Sequence, residues 1–276
     1  MRGNTHVRFG GRIGETERPR GRHRASIRPY YVKAHDGASV VSKAIVIATG
    51  VTEHGDREVL GLAVGDSEDG AFWTAFLRSL RARGLHGVRL VISDAHEGLK
   101  AAIGAVLLGA AWQRCRVLFL RNVLARVPKG SAEMVLAAIR TIWAQPDGAA
   151  VAEQCDEIAD RLAPRFPVVA GMLRDAKPDL LAFSAFPVSH WRKVWSTNPL
   201  ERVNKEVKRR TDVVGIFPGE AAILRLAGAV LLEIHDEWAI AERRYLSEGS
   251  MALLDRSPDD GLAKEVEGAK TVLLAS

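Results

Sequence analysis

The stretch VRLVISDAHEGLK, residues 88–100, decides how the rest of the chain is read. Residues 88–92 form a short apolar run with the length and composition of a buried strand. Asp94 follows just past its end, where open α/β sheets gather their ligand sites. A carboxylate there can hold Mg²⁺, which prefers oxygen ligands and keeps waters for substrate phosphates. The same residues carry a second meaning. Asp94 followed three residues later by Glu97 is also a capping box for the next helix, expected from about Ala95 to Leu107.

Upstream, residues 30–34 lead into Asp36–Gly37, a dipeptide suited to a tight hairpin. A β-branched run at 40–51, a turn near His54 and Gly55, and residues 57–64 complete a three-stranded antiparallel meander. Ser67 is placed to cap a helix to about Arg83, with Phe72, Trp73, Phe76, Leu77 and Leu80 on its apolar face. A short strand at 110–112 follows the helix after Asp94. The order β-β-β-α-β-α-β predicts a mixed sheet with covering helices.

From Arg116 the pattern turns helical. Val117, Leu120 and Leu124 keep helical spacing, as do Val135, Ile139 and Ile142, and further helices are expected at about 148–163 and 166–175. Between Cys115 and Trp195 nothing reads as a strand, so residues of about 116–194 form an all-helical insertion in an α/β domain spanning 27–276. Helices near 199–210 and 219–244 close the domain.

Residues 1–34 carry nine basic side chains against two acidic ones, although the whole chain nets only +6. Residues 1–26 are expected to be a basic disordered arm, which either meets nucleic acid through its phosphates or does nothing specific. No apolar run is long enough to span a membrane, and two cysteines make no disulfide framework, so a cytoplasmic setting is expected. His and Cys spacing offers no zinc site, and phosphate-binding loops and nucleophile elbows are missing.

A second acidic candidate is Glu201, in WSTNPLERVNK at 195–205. Asn198 as N-cap, Pro199 at the first helical position and Glu201 reaching back would make an ordinary helix start. On the helical wheel, however, Glu201 lies between a buried face (Leu200, Val203, Val207) and a basic one, which suits a metal ion beside a phosphate backbone. Arg192, Lys193, Lys205, Lys208, Arg209 and Arg210 are candidate DNA contacts, with Trp191 and Trp195 either stacking on bases or packing in the core.

Several motifs occur together and in order: EVLG at 58–61, GDSEDGAFW at 65–73, VISDAHEGL at 91–99, WQRCRV at 112–117, WSTNPLER at 195–202, and RRT at 209–211 leading to GIFP at 215–218. From about Tyr31 to the C-terminal helices the chain resembles the bacterial Mutator-type insertion-sequence transposases. The resemblance implies a ribonuclease-H-like fold, a DDE triad with two Mg²⁺ ions, and DNA cleavage and strand transfer at element ends by a homo-oligomer. It implies Asp94 as the second acidic residue and Glu201 as the third. The first would stand three residues before Tyr31, where this chain has Arg28, whose charge would repel a cation. Asp36 is the nearest aspartate but belongs to the expected turn. The family's Cys-x-x-His pair is also altered, with Cys115 present and Leu118 in the histidine position. The family's N-terminal DNA-recognition helices have no counterpart in residues 1–27, as expected of a truncated or frameshifted copy. The alternatives are a non-catalytic remnant that binds DNA or an intact transposase, and a host nuclease of the same fold.

Overall fold

The computed structural model describes residues 24–66 and 69–254, with side chains placed from Tyr30 onward. Strands β1 (Arg24–Asp36), β2 (Ser39–Val51) and β3 (Arg57–Gly65) form the expected antiparallel meander. Gly37 turns the first hairpin at φ +61°, a conformation that side chains with a Cβ rarely adopt. After helix α1 (Gly70–Ala82), β4 (Leu90–Ser93) pairs parallel with the start of β1. Helix α2 (Glu97–Val106) then returns the chain to β5 (Ala111–Arg114), parallel to β4. The strand order is β3-β2-β1-β4-β5, so antiparallel pairing gives way to parallel pairing at β1.

Both faces of this sheet are covered, which explains the unbroken apolar run in β2. Val46 and Ala48 pack beneath Phe72, Trp73 and Phe76 of α1. Ile45 and Ile47 point the other way, into a core with Leu200, Val203 and Val207 and with Ile223, Leu224 and Ala227. These last residues belong to two helices described below. A half-covered sheet would instead alternate apolar and polar residues.

The helical insertion comprises α3 (Arg116–Leu124), α4 (Ala132–Arg140), α5 (Gly148–Leu162), α6 (Pro167–Leu180) and α7 (Val188–Val194), with no strand among them. It has its own core, built on Phe119, Val135, Ile139, Phe183 and Trp191 and reaching the sheet at Leu90 and Ile92. Helix α8 (Asn198–Thr211), a short β6 (Ile216–Phe217) beside β1, α9 (Glu220–Ala239) and α10 (Glu248–Ala252) finish the described chain. Among the described residues no helix is long and apolar enough to cross a membrane.

Several local expectations change. β1 begins at Arg24, so the last three residues of the expected arm are strand, and the rest of the arm lies outside the described residues. Ser67 is also outside them; Asp69 caps α1, its carboxylate accepting from the Phe72 amide at 2.8 Å. In α3 the fully buried residues are Phe119 and Val123, while Val117, Leu120 and Leu124 are half-buried. The helix's rotation is set at its start, where the Cys115 and Arg116 amides are tied to Ser93 and Trp195.

Candidate active site

At the end of β4 the chain takes three residues, Asp94 to His96, to turn into α2. The Ser93 hydroxyl accepts from the Trp112 indole at 2.8 Å and donates to the Asp94 carbonyl at 2.9 Å. The cap of α2 is His96, whose Nδ1 accepts from the Leu99 amide at 3.2 Å. The capping-box reading of Asp94 is thereby overturned, and the half-buried carboxylate stands one residue beyond the strand end.

Helix α8 begins differently from expectation too. Thr197, not Asn198, occupies the cap position, and its side chain makes no capping bond. Its hydroxyl and amide instead donate to the Cys115 sulfur at 3.3 and 3.4 Å. Asn198 and Pro199 become the first helical residues, and the Glu201 amide closes the first turn on the Thr197 carbonyl at 2.9 Å. Glu201 is half-buried on that turn, where the unpaired amides of a helix start favour negative charge.

Cys115 joins the two ends. Its amide donates to the Ser93 carbonyl at 2.8 Å, while its sulfur receives Thr197. The next amide, that of Arg116, donates to the Trp195 carbonyl at 3.0 Å. Asp94 and Glu201 are thus carried on segments clasped to one residue, at the C-terminal end of β4. In register, Ile27 pairs with Ser93 across β1 and β4, so backbone position 28 is level with Asp94. Asp36 is eight residues further along β1, roughly 27 Å away at strand rise, and it is paired with Lys43 at 3.8 Å. Among the described residues no group of three or more His, Cys, Asp or Glu is arranged to hold a metal ion.

The candidate DNA contacts divide. Arg192 and Lys193 are exposed on α7, and Lys205, Lys208, Arg209 and Arg210 are exposed on α8. Arg209 and Arg210 already grip Glu206, at 2.7 and 3.2 Å, and hold its carboxyl down at about 2. Lys193 donates to the Tyr245 carbonyl. Trp191 and Trp195 are buried and meet the Phe183 ring edge-on at 5.1 and 5.6 Å, so they are core residues and present no stacking surface for bases. Sequence reasoning missed His96 and Thr197, because a histidine cap and a sulfur contact 82 residues apart leave no local pattern.

Residues 27–241 match the family model described as "Transposase, Mutator family". The chain belongs to that family. This Mutator-family chain is 54% identical over 215 residues to the transposase for insertion sequence element IS1081 of Mycobacterium tuberculosis, a match covering 78% of this chain and 52% of the relative. It is 36% identical over 219 residues to the transposase for IS256 in transposon Tn4001 of Staphylococcus aureus, covering 79% and 56%. It is 38% identical over 213 residues to the ISRM5 transposase of Rhizobium meliloti, covering 77% and 54%. The chain therefore spans about half the length of these relatives. The matched segment contains Asp94, Cys115 and Glu201.

Proposed function

We propose that this chain carries the catalytic region of a DNA transposase with a ribonuclease-H-like fold, whose reaction is metal-dependent cleavage and strand transfer at element ends. The observation that carries the proposal is the Cys115 clasp. It holds the strand end bearing Asp94 against the helix start bearing Glu201, while His96 and Thr197 take the cap positions. The change from antiparallel to parallel pairing at β1 supports the fold assignment.

Asp94 and Glu201 are the residues that would hold Mg²⁺. The oxygen donor set fits the ion in kind and falls short in number, because position 28 is arginine. Ions held there would supply an activated oxygen nucleophile and stabilise the leaving oxygen at phosphorus. Asp94 and Glu201 bring the negative charge, and the exposed cations of α7 and α8 would hold the DNA backbone alongside, with a homo-oligomer bringing two ends together. The arginine at position 28 also favours a second reading, a non-catalytic remnant that binds DNA or an intact transposase.

Mg²⁺-dependent nicking of element-end DNA separates the two. The chain as it stands is expected to nick feebly or not at all, and Arg28→Asp to gain activity at least tenfold. Adding Glu201→Gln to Arg28→Asp should abolish that gain. A folded, DNA-bound Arg28→Asp protein that still fails to nick would leave the remnant reading standing.

A further inference from the structure

The junction between the sheet and the helical insertion holds a guanidinium with no acceptor. Arg116, directly after Cys115, stacks on Trp195 with its guanidinium carbon 3.5 Å from the ring centroid, and Trp143 flanks it at 5.5 Å. Among the described residues its side chain meets no carboxylate and no hydrogen-bond acceptor. Burial pushes its pKa down to about 10, a shift that the neighbouring Cys115 opposes and the like charges of Arg140 and Arg192 reinforce. Both neighbours are exposed, and neither has an ion-pair partner among the described residues.

Arg114 offers the contrast. It too is desolvated, which lowers its pKa, but Asp179 and Glu97 lie near enough to offset part of the cost. Stacking on Trp195 and the nearby Cys115 compensate part of the cost of this half-buried cation. Burial and repulsion by two like charges still act together against it, and an arriving anion would relieve both. Stacking on Trp195 fixes the plane of the guanidinium and leaves its edge N–H groups for a bidentate acceptor, which is how arginine takes phosphate. The site is also well placed, since the Arg116 amide is bonded to Trp195 next to the Cys115 clasp.

We propose that Arg116, Arg140 and Arg192 form a phosphate-binding site that takes a backbone phosphate of the DNA strand running past Asp94 and Glu201. This inference rests on the DNA-transposase reading above and gives that DNA a specific point of attachment.

The test measures binding of a labelled duplex oligonucleotide across a salt series, together with thermal melts of the same proteins. Arg116→Gln should weaken binding about tenfold and flatten the salt slope by about one counterion. Arg116→Lys, which keeps the charge without the planar fork, should recover only part of the affinity. Arg78→Gln, on exposed α1, is the control and should leave binding unchanged. Without DNA, Arg116→Gln should melt no lower than the parent, because a repelled charge has been removed. Unchanged affinity and slope in Arg116→Gln, with a lowered melting temperature, would make Arg116 a packing residue and overturn the proposal while leaving DNA binding intact. If the parent binds no duplex, both readings fall. Stabilisation by inorganic phosphate alone, lost in Arg116→Gln, would then mark a site for the free ion.

Discussion

Cys115 and Thr197 are both fully buried, so no water can replace the two hydrogen bonds that the sulfur accepts from the Thr197 amide and hydroxyl. Replacing Cys115 with alanine leaves both donors unpaired in a dry site. The expected cost is about 1–3 kcal/mol in urea unfolding. Cys115→Ser, which restores an acceptor, should recover part of it. Equal midpoints for the alanine variant and the parent would show that the sulfur contributes only volume. In sequence Cys115 looks like half of an incomplete Cys-x-x-His pair, because nothing nearby discloses Thr197. Asp94 and Glu201 were legible as candidates, but locally helix-capping was the better explanation of each until His96 and Thr197 were seen in those positions.

Helix α8 shows the same ambiguity at the level of an element. Its apolar positions Leu200, Val203 and Val207 were readable from periodicity and do face the core. Its basic outer face was also readable, but its availability was not. Glu206 binds Arg209 through both carboxylate oxygens and also reaches Arg210, and Arg210 approaches Glu233 at 3.9 Å. Glu206→Gln should therefore release two arginines, tighten duplex binding and steepen the salt slope by up to about two counterions. An unchanged slope would place both arginines off the DNA path. The same contact makes a pH prediction. The folded pKa of Glu206, about 2, lies below its ordinary value of 4.5. The stability it confers is thus present above the unfolded pKa and lost as pH falls toward the folded one. The stability difference between the parent and Glu206→Gln should be largest near neutrality and vanish by about pH 2. A difference that persists at low pH would refute the assignment.

Across the whole molecule, three apolar cores must be held together: one on each face of the sheet and one inside the insertion. Gln113, fully buried on β5, is the polar tie between sheet and insertion. Its amide nitrogen donates to the Leu180 carbonyl at 2.8 Å, and its oxygen accepts from the Phe183 amide at 2.7 Å. Gln113→Leu would strand both backbone groups, at roughly 1–3 kcal/mol each. The insertion should then become more open to limited proteolysis than the sheet. Uniform resistance across the chain would show that apolar packing around Phe183 is enough without the tie. Helices α3 to α6 were legible because their apolar residues recur at helical spacing, whereas the seven-residue α7 is too short to show a period. Gln113 was not legible, because a polar residue on a short strand carries no sign of being buried.

The sequence alone determined the order of strands and helices through β5, the helical character of the segment that follows, and the choice of the two acidic candidates. Each of these depends on interactions among residues close together in the chain, while α7, β6 and α10 emerged only in the structure. It also carried the family resemblance, which the match over residues 27–241 bears out. Only the tertiary structure decided which side chains cap the helices and which cations are already occupied. It also decided that the ends of β4 and α8 meet at Cys115, and that Arg116 lies between two tryptophans and two arginines. Those outcomes depend on contacts between segments distant in sequence, and periodicity and propensity carry no information about them.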